Sequence, residues 1–166
     1  MIEFMVIALP RSGTTWASNW LTTDTTTCIH DPLWNHDYKD FDKIKSDKML
    51  GVSCTGLWMF KNWVNNHPAR KVILHRDLSE VNTSLVEIGI PPLPDYAGDF
   101  INDIDGNHYD WLDIFTNPKH IYEYLLQKEF DKERHDLLKE IEMQPNFAGL
   151  TINKDLTKRL MTEIGA

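Results

Sequence analysis

Seven consecutive residues, Pro10-Arg11-Ser12-Gly13-Thr14-Thr15-Trp16, stand where an apolar run gives way to a helical pattern. Ile2 to Leu9 (IEFMVIAL) is nearly continuous apolar sequence with β-branched content, as expected of a strand covered on both faces. Thr14 to Leu21 (TTWASNWL) then places Trp16 and Trp20 at i and i+4, the spacing of one helix face. A tight loop at such a junction aligns successive backbone N–H groups with the positive end of the helix behind them, which makes an anion cradle. Phosphate or sulfate chemistry belongs at such a place.

Set against the phosphate-loop pattern G-x-x-x-x-G-K-[ST], Ala8 replaces the first glycine and Thr14 the lysine, while Gly13 and Thr15 keep their places. The loop is therefore a P-loop variant without its usual lysine. Pro10 to Trp16 also resembles the phosphosulfate loop of the sulfotransferases that use 3′-phosphoadenosine 5′-phosphosulfate (PAPS), which reads PKSGTTW or PRSGTTW. The match to the second form holds at every position. A second element of that family is an arginine at a strand end with a serine eight residues later, and Arg76 and Ser84 stand at that spacing within HRDLSEVNTS. His30-Asp31-Pro32-Leu33-Trp34 is similar to the YEPLW segment of carbohydrate-type members, and Trp111 to Leu126 resembles a late strand, turn and helix of the family.

The resemblance implies a P-loop NTPase-like three-layer α/β fold, with a mostly parallel central sheet and helices on both faces. It implies PAPS as cofactor, with adenosine 3′,5′-bisphosphate as product, and no need for a metal. Pro10, Arg11, Ser12, Gly13, Thr14, Thr15 and Trp16 would hold the 5′-phosphosulfate, and Arg76 with Ser84 the 3′-phosphate. Arg11, permanently charged, would steady the sulfate and its bridging oxygen. Asp31 takes the place of a glutamate near the acceptor hydroxyl, so it is the expected general base, with His30 and His36 behind it. Trp34 or Tyr109 is a candidate to stack on adenine. The glycine- and arginine-rich C-terminal loop of cytosolic members is missing, and their catalytic histidine has no counterpart around Val52 to Thr55.

Plainer readings exist for several of these residues. Asp before Pro is a common turn former, which fits Asp31 without chemistry. Arg76 has Asp77 and Glu80 beside it as ordinary ion-pair partners. Trp16, Trp20, Trp58 and Trp63 fall at helical spacings that suit a core. Cys28, His30, Asp31 and His36 match no metal-ligand spacing, and the two cysteines are expected as reduced thiols rather than a disulfide.

The elements that must position these residues alternate strand and helix, so an α/β fold with right-handed crossovers is expected. After the first strand and helix come a short strand at Thr27 to His30, closed by Asp31-Pro32, and a charged loop or short helix from Lys39 to Lys48. A strand at Met49 to Cys54, weakened by Gly51, precedes a helical pattern through Leu57, Trp58, Phe60, Trp63 and Val64. Lys71 to His75 is a further strand, followed by a helix carrying Val81, Leu85 and Ile88. Ile90 to Asn107, rich in Pro and Gly, reads as a long irregular excursion. Trp111 to Phe115 is expected as an edge strand, with helices over Pro118 to Phe130 and Asp131 to Met143 and one capped by Asn153.

The chain has 166 residues, 25 Asp+Glu against 17 Lys+Arg and a net charge of −8. Such a length suits one domain over residues 1–166. That balance leaves no basic footprint for nucleic acid or an anionic membrane, so any anion must be held locally. The apolar start is too short for a signal or membrane span, and a cytoplasmic protein is expected. Between Asp77 and Lys119 the sequence carries no Lys or Arg and nine acids, which reads as a solvated face or as an acceptor site for a cationic molecule. Sulfuryl transfer from PAPS to a hydroxyl or amine of a small molecule or glycan is the leading expectation. A non-catalytic nucleotide-binding module and a P-loop kinase or NTPase are the alternatives.

Overall fold

The computed structural model describes residues 1–141 and 153–165. Five parallel strands form one sheet in the order β2-β3-β1-β4-β5. They are β1 (Phe4–Ala8), β2 (Thr26–His30), β3 (Met49–Cys54), β4 (Arg70–His75) and β5 (Asn107–Asp110). β1 lies at the centre, pairing with β3 from Phe4↔Gly51 to Ile7↔Cys54 and with β4 from Phe4↔Arg70 to Ala8↔Leu74.

All five β1 residues are buried, the result of covering a central strand on both faces. Phe4, Val6 and Ala8 pack on one side with residues of α1 (Thr14–Leu21) and α6 (Pro118–Leu126). Met5, Ile7 and Leu9 pack on the other. That second core takes residues from α2 (Lys61–Asn66), α3 (Leu78–Glu87), α4 (Tyr96–Asn102) and α8 (Lys154–Glu163). The period-2 alternation of a strand thus divides one apolar run between two cores. Among the described residues no helix is long and apolar enough to cross a membrane, and both Cys28 and Cys54 are buried free thiols.

Two expectations need correction. The stretch Ile90 to Asn107 is not wholly irregular, because α4 lies within it and buries Ala97 and Ile101. The loop before α4 is pinned to α3, where the Asn82 side chain accepts from Leu93 N–H (2.8 Å) and donates to its carbonyl (3.2 Å). The edge strand is Asn107–Asp110 rather than Trp111 to Phe115, whose second half forms the one-turn helix α5 (Asp113–Thr116). The sequence NHYD shows no apolar alternation because an exposed edge strand needs none, and it is recruited by backbone pairing to β4. Elsewhere the helical pattern after β3 is a 3-10 turn, Leu57–Phe60, running into α2. The Lys39 to Lys48 stretch holds one 3-10 segment, Tyr38–Lys43. α7 spans Lys132–Lys139, and the expected helix end at Met143 lies outside the described residues. Asn153 caps α8, its side chain accepting from Leu156 N–H at 3.0 Å.

Gly51 has a packing reason to be in β3. A Cβ there would lie 2.2 Å from the ring of Phe4, its register partner, which is fully buried. Gly51→Ala is expected to lower the unfolding free energy by about 1–3 kcal/mol through overpacking, read from urea denaturation. Adding Phe4→Leu should recover part of that loss, whereas additive losses would show that the ring is not the obstacle.

Candidate functional site

The loop between β1 and α1 is built on two left-handed residues. Gly13 caps α1 at φ +80, and Arg11 sits at φ +65, a conformation that non-glycine residues seldom adopt. Gly13 is required for space as well, since a Cβ would stand 2.8 Å from Ile114 Cδ1 and 3.9 Å from the Trp111 ring. The first intrahelical bond runs from Ala17 N–H to the Gly13 carbonyl (2.9 Å). The N–H groups of Thr14, Thr15 and Trp16 therefore have no acceptor within the helix.

Arg76 and Ser84 both reach Arg11. Because β4 is the parallel neighbour of β1, Arg76 follows the strand end beside the loop, and its Nη1 donates to the Arg11 carbonyl. Ser84, on α3, accepts from Arg11 Nε at 3.0 Å. The Arg76 guanidinium also lies 4.6 Å from the centre of the Trp111 ring and pairs with Glu80 at 3.2 Å.

From the β2 end, His30 Nε2 approaches the hydroxyls of Thr14 (3.3 Å) and Thr15 (3.2 Å) and the Asp31 carboxylate (3.3 Å). Asp31, at φ +41, accepts from Thr55 N–H (2.6 Å) and Thr55 Oγ–H (3.0 Å) on one oxygen and turns the other to His30. This carboxylate consequently ties the β2 end to the β3 end. Ser53 Oγ–H donates to the Thr14 carbonyl (2.9 Å), adding a strut from β3 to the start of α1.

The remaining sequence candidates divide. Ser12 is fully buried with its hydroxyl 3.4 Å from the Pro10 carbonyl, so it would meet a ligand through its backbone. Trp16 is buried below the loop, its Nε1–H directed to the Leu138 carbonyl (3.3 Å) and its ring against Trp20, Phe115 and His135. His36 is exposed and lines a separate depression with Asp37, Asp40 and Arg159. Trp34 and Tyr109 are half-buried. Trp111, Ile114 and Thr55 are the contacts that sequence reasoning missed, because no local spacing ties any of them to the loop, whereas the Arg76–Glu80 pair expected from the sequence is present. A cavity of about 530 Å³ walled by Tyr38, Trp58, Phe60, Trp63 and Phe100 shares no residue with this cluster. Neither the protein-family models nor the curated proteins compared with the sequence give a match.

Next to Arg76, His75 Nε2 and His108 Nδ1 are 2.6 Å apart, the rings stacked, while His108 Nε2 meets the Ile104 carbonyl at 2.8 Å. Burial, then the neighbouring imidazole, hold His75 below the ordinary histidine value of 6.5, with Asp110 pulling the other way. The unfolded chain, whose His75 protonates more readily, therefore takes up more protons as pH falls through 6.5, and stability falls with it. Urea denaturation at pH 7.5 and pH 5 should show this loss, and His75→Asn should lose less over the same range. An equal loss in both proteins would remove His75 from the account.

Proposed function

We propose that the chain is a PAPS-dependent sulfotransferase built on a P-loop-type α/β scaffold. The observation that carries the reading is the meeting of Arg76 and Ser84 with Arg11 of the PRSGTTW loop. Two anion-suited groups 65 and 73 residues from Arg11 in sequence converge on one strand end, and ligands bind at strand ends in open α/β sheets. The residues present suit a nucleotide with phosphate at both ends. Loop N–H groups and the Thr14 and Thr15 hydroxyls would take the 5′ side, and Arg76 with Ser84 the 3′-phosphate.

PAPS supplies an activated sulfuryl group, whose S–O bond to the 5′-phosphate breaks as the acceptor oxygen or nitrogen bonds to sulfur. Positioning and charge stabilisation dominate such a displacement, as in phosphoryl transfer. Arg11 would stabilise charge growing on the bridging oxygen. Asp31, through the oxygen turned away from Thr55, is the candidate to receive the acceptor proton. The acceptor is a small molecule or glycan. A cationic one suits the acidic segment, whose Tyr96 and Phe100 help wall the aromatic cavity.

Adenosine 3′,5′-bisphosphate should raise Tm by several degrees at about 100 times its Kd, where linkage contributes about 2.7 kcal/mol. ADP should do much less. A shift with Mg-ATP and none with the bisphosphate would instead favour a kinase or NTPase. Binding without turnover across an acceptor screen would favour a nucleotide-binding module.

Variants separate the roles. Arg76→Ala should weaken bisphosphate binding by about 1.5–3 kcal/mol through lost charge-assisted hydrogen bonds, with a smaller effect on turnover at saturation. Arg11→Ala should chiefly lower turnover. Asp31→Asn should keep affinity and lose rate. Bisphosphate Kd values beside single-turnover rates decide the matter, since equal affinity losses in all three would leave Asp31 a turn residue and Arg11 a binding group.

A further inference from the structure

We propose that the cavity walled by aromatic residues of α2 and α4 is a binding site for an aromatic amine, a flat ring carrying one ammonium group. As the place of the acceptor it rests on the reading above, whereas as a binding site it stands apart from the loop, with which it shares no residue. At about 530 Å³ it falls within the size of small-molecule sites, roughly 300–1,000 Å³.

The walls are rings drawn from separate stretches of the chain. Tyr38, Trp58 and Phe60 are buried, while Tyr96 and Phe100 are 54% and 40% exposed. Ring contacts sort the walls into two groups. Tyr38 stacks on Phe60 (4.3 Å between centroids) and meets Trp63 edge-on at 5.4 Å, and Phe100 meets Trp58 edge-on at 6.4 Å and Tyr96 at 5.3 Å. A flat ring between the groups adds offset or edge contacts to both, which a saturated ring does not. It also covers the two exposed rings, restoring burial that the chain alone leaves unmade.

The charge of the ligand follows from what the rings and the rim already hold. Two of the rings attract ammonium groups of the chain itself, Lys39 Nζ standing 4.9 Å from the Tyr38 centroid and Lys61 Nζ 5.3 Å from that of Phe100. One carboxylate, Glu163 of α8, lines the cavity. It accepts from the Tyr38 hydroxyl and from Lys39 Nζ (2.9 and 3.0 Å), and these donors hold it below its ordinary value of 4.5, so it is ionised at neutral pH. The Lys39 side chain is 55% exposed, and an ion pair of that kind contributes little, so a ligand ammonium replaces it readily. Asp99 follows Tyr96 by three residues and Asp103, at the end of α4, follows Phe100 by three, which puts both acids on the ring-bearing face. Lys61 pairs with Asp103 at 2.7 Å, whereas Asp99 is exposed and in no ion pair among the described residues. The rim thus keeps an excess of acids, Glu163, Asp99 and Asp103 against Lys39 and Lys61.

Phenethylamine is the probe, with phenethyl alcohol as the neutral ring and cyclohexylethylamine as the saturated cation. By titration calorimetry at pH 7 the aromatic amine should bind about tenfold more tightly than either, the size expected of a cation–π contact or of one ion pair in a partly dry site. Glu163→Gln should weaken amine binding about tenfold and leave phenethyl alcohol unchanged. Lys39→Gln, by removing the competing ammonium, should tighten the amine about threefold, a gain that a merely structural Lys39–Glu163 pair would not give. No binding of the amine, or equal binding of the alcohol or the saturated amine, overturns the proposal, as does an amine affinity unchanged in both variants. Should Glu163→Gln fail to fold, the absence of tightening in Lys39→Gln is equally decisive. The sulfotransferase reading fails separately: amine binding by a protein that adenosine 3′,5′-bisphosphate does not stabilise keeps the cavity and rejects that reading, and the reverse result keeps that reading and rejects the cavity.

Discussion

The bond from the Arg76 guanidinium to the Arg11 carbonyl is the contact on which the site depends. It fixes a residue in the left-handed region, a backbone state costing on the order of 1–3 kcal/mol that persists only where its surroundings over-determine it. Arg76 is itself held in place by Glu80 and by the face of Trp111, while the Arg11 side chain turns to Ser84.

That contact exists because β1 and β4 are parallel neighbours at the centre of the sheet. Parallel pairing brings both strand ends out at the same edge, and the crossovers put the following helices α1 and α3 on opposite faces. Arg76 then closes over the loop from one side while His30, at the end of β2, approaches from the other. Ser53 and Thr55 fill the gap between them from β3. Each strand end in the order β2-β3-β1-β4 contributes a polar group to one small region, and the apolar strand bodies anchor all of them.

The edge of the sheet works differently. β5 has little apolar content and is held by backbone hydrogen bonds and by the His75–His108 contact. Directly after it the Trp111 N–H donates to the His75 carbonyl (2.9 Å), which carries the indole onto Arg76 and against Gly13. A polar strand with no amphipathic signature thus seats the aromatic ring that roofs the loop.

What the sequence determined by itself was whatever local chemistry encodes. The apolar run before PRSGTTW is a strand because it must be buried on both faces, and Thr14 to Leu21 is a helix because its tryptophans repeat at helical spacing. Asp31-Pro32 closes β2 because proline has no N–H with which to continue the ladder and Asp31 leaves the extended region, at φ +41. The pairing of Arg76 with Ser84 was legible only through its spacing within a resemblance, and nothing in that spacing required Ser84 to face Arg11. Tertiary structure decided the rest. The edge strand Asn107–Asp110 is set by its neighbour's backbone, so its residues carry no pattern to read. His30 and His36 are alike in sequence, yet strand pairing sends one to the threonines of the loop and leaves the other exposed. Trp111 meets Gly13 across nearly a hundred residues, a contact fixed by the chain's path around the sheet rather than by any residue's own preference.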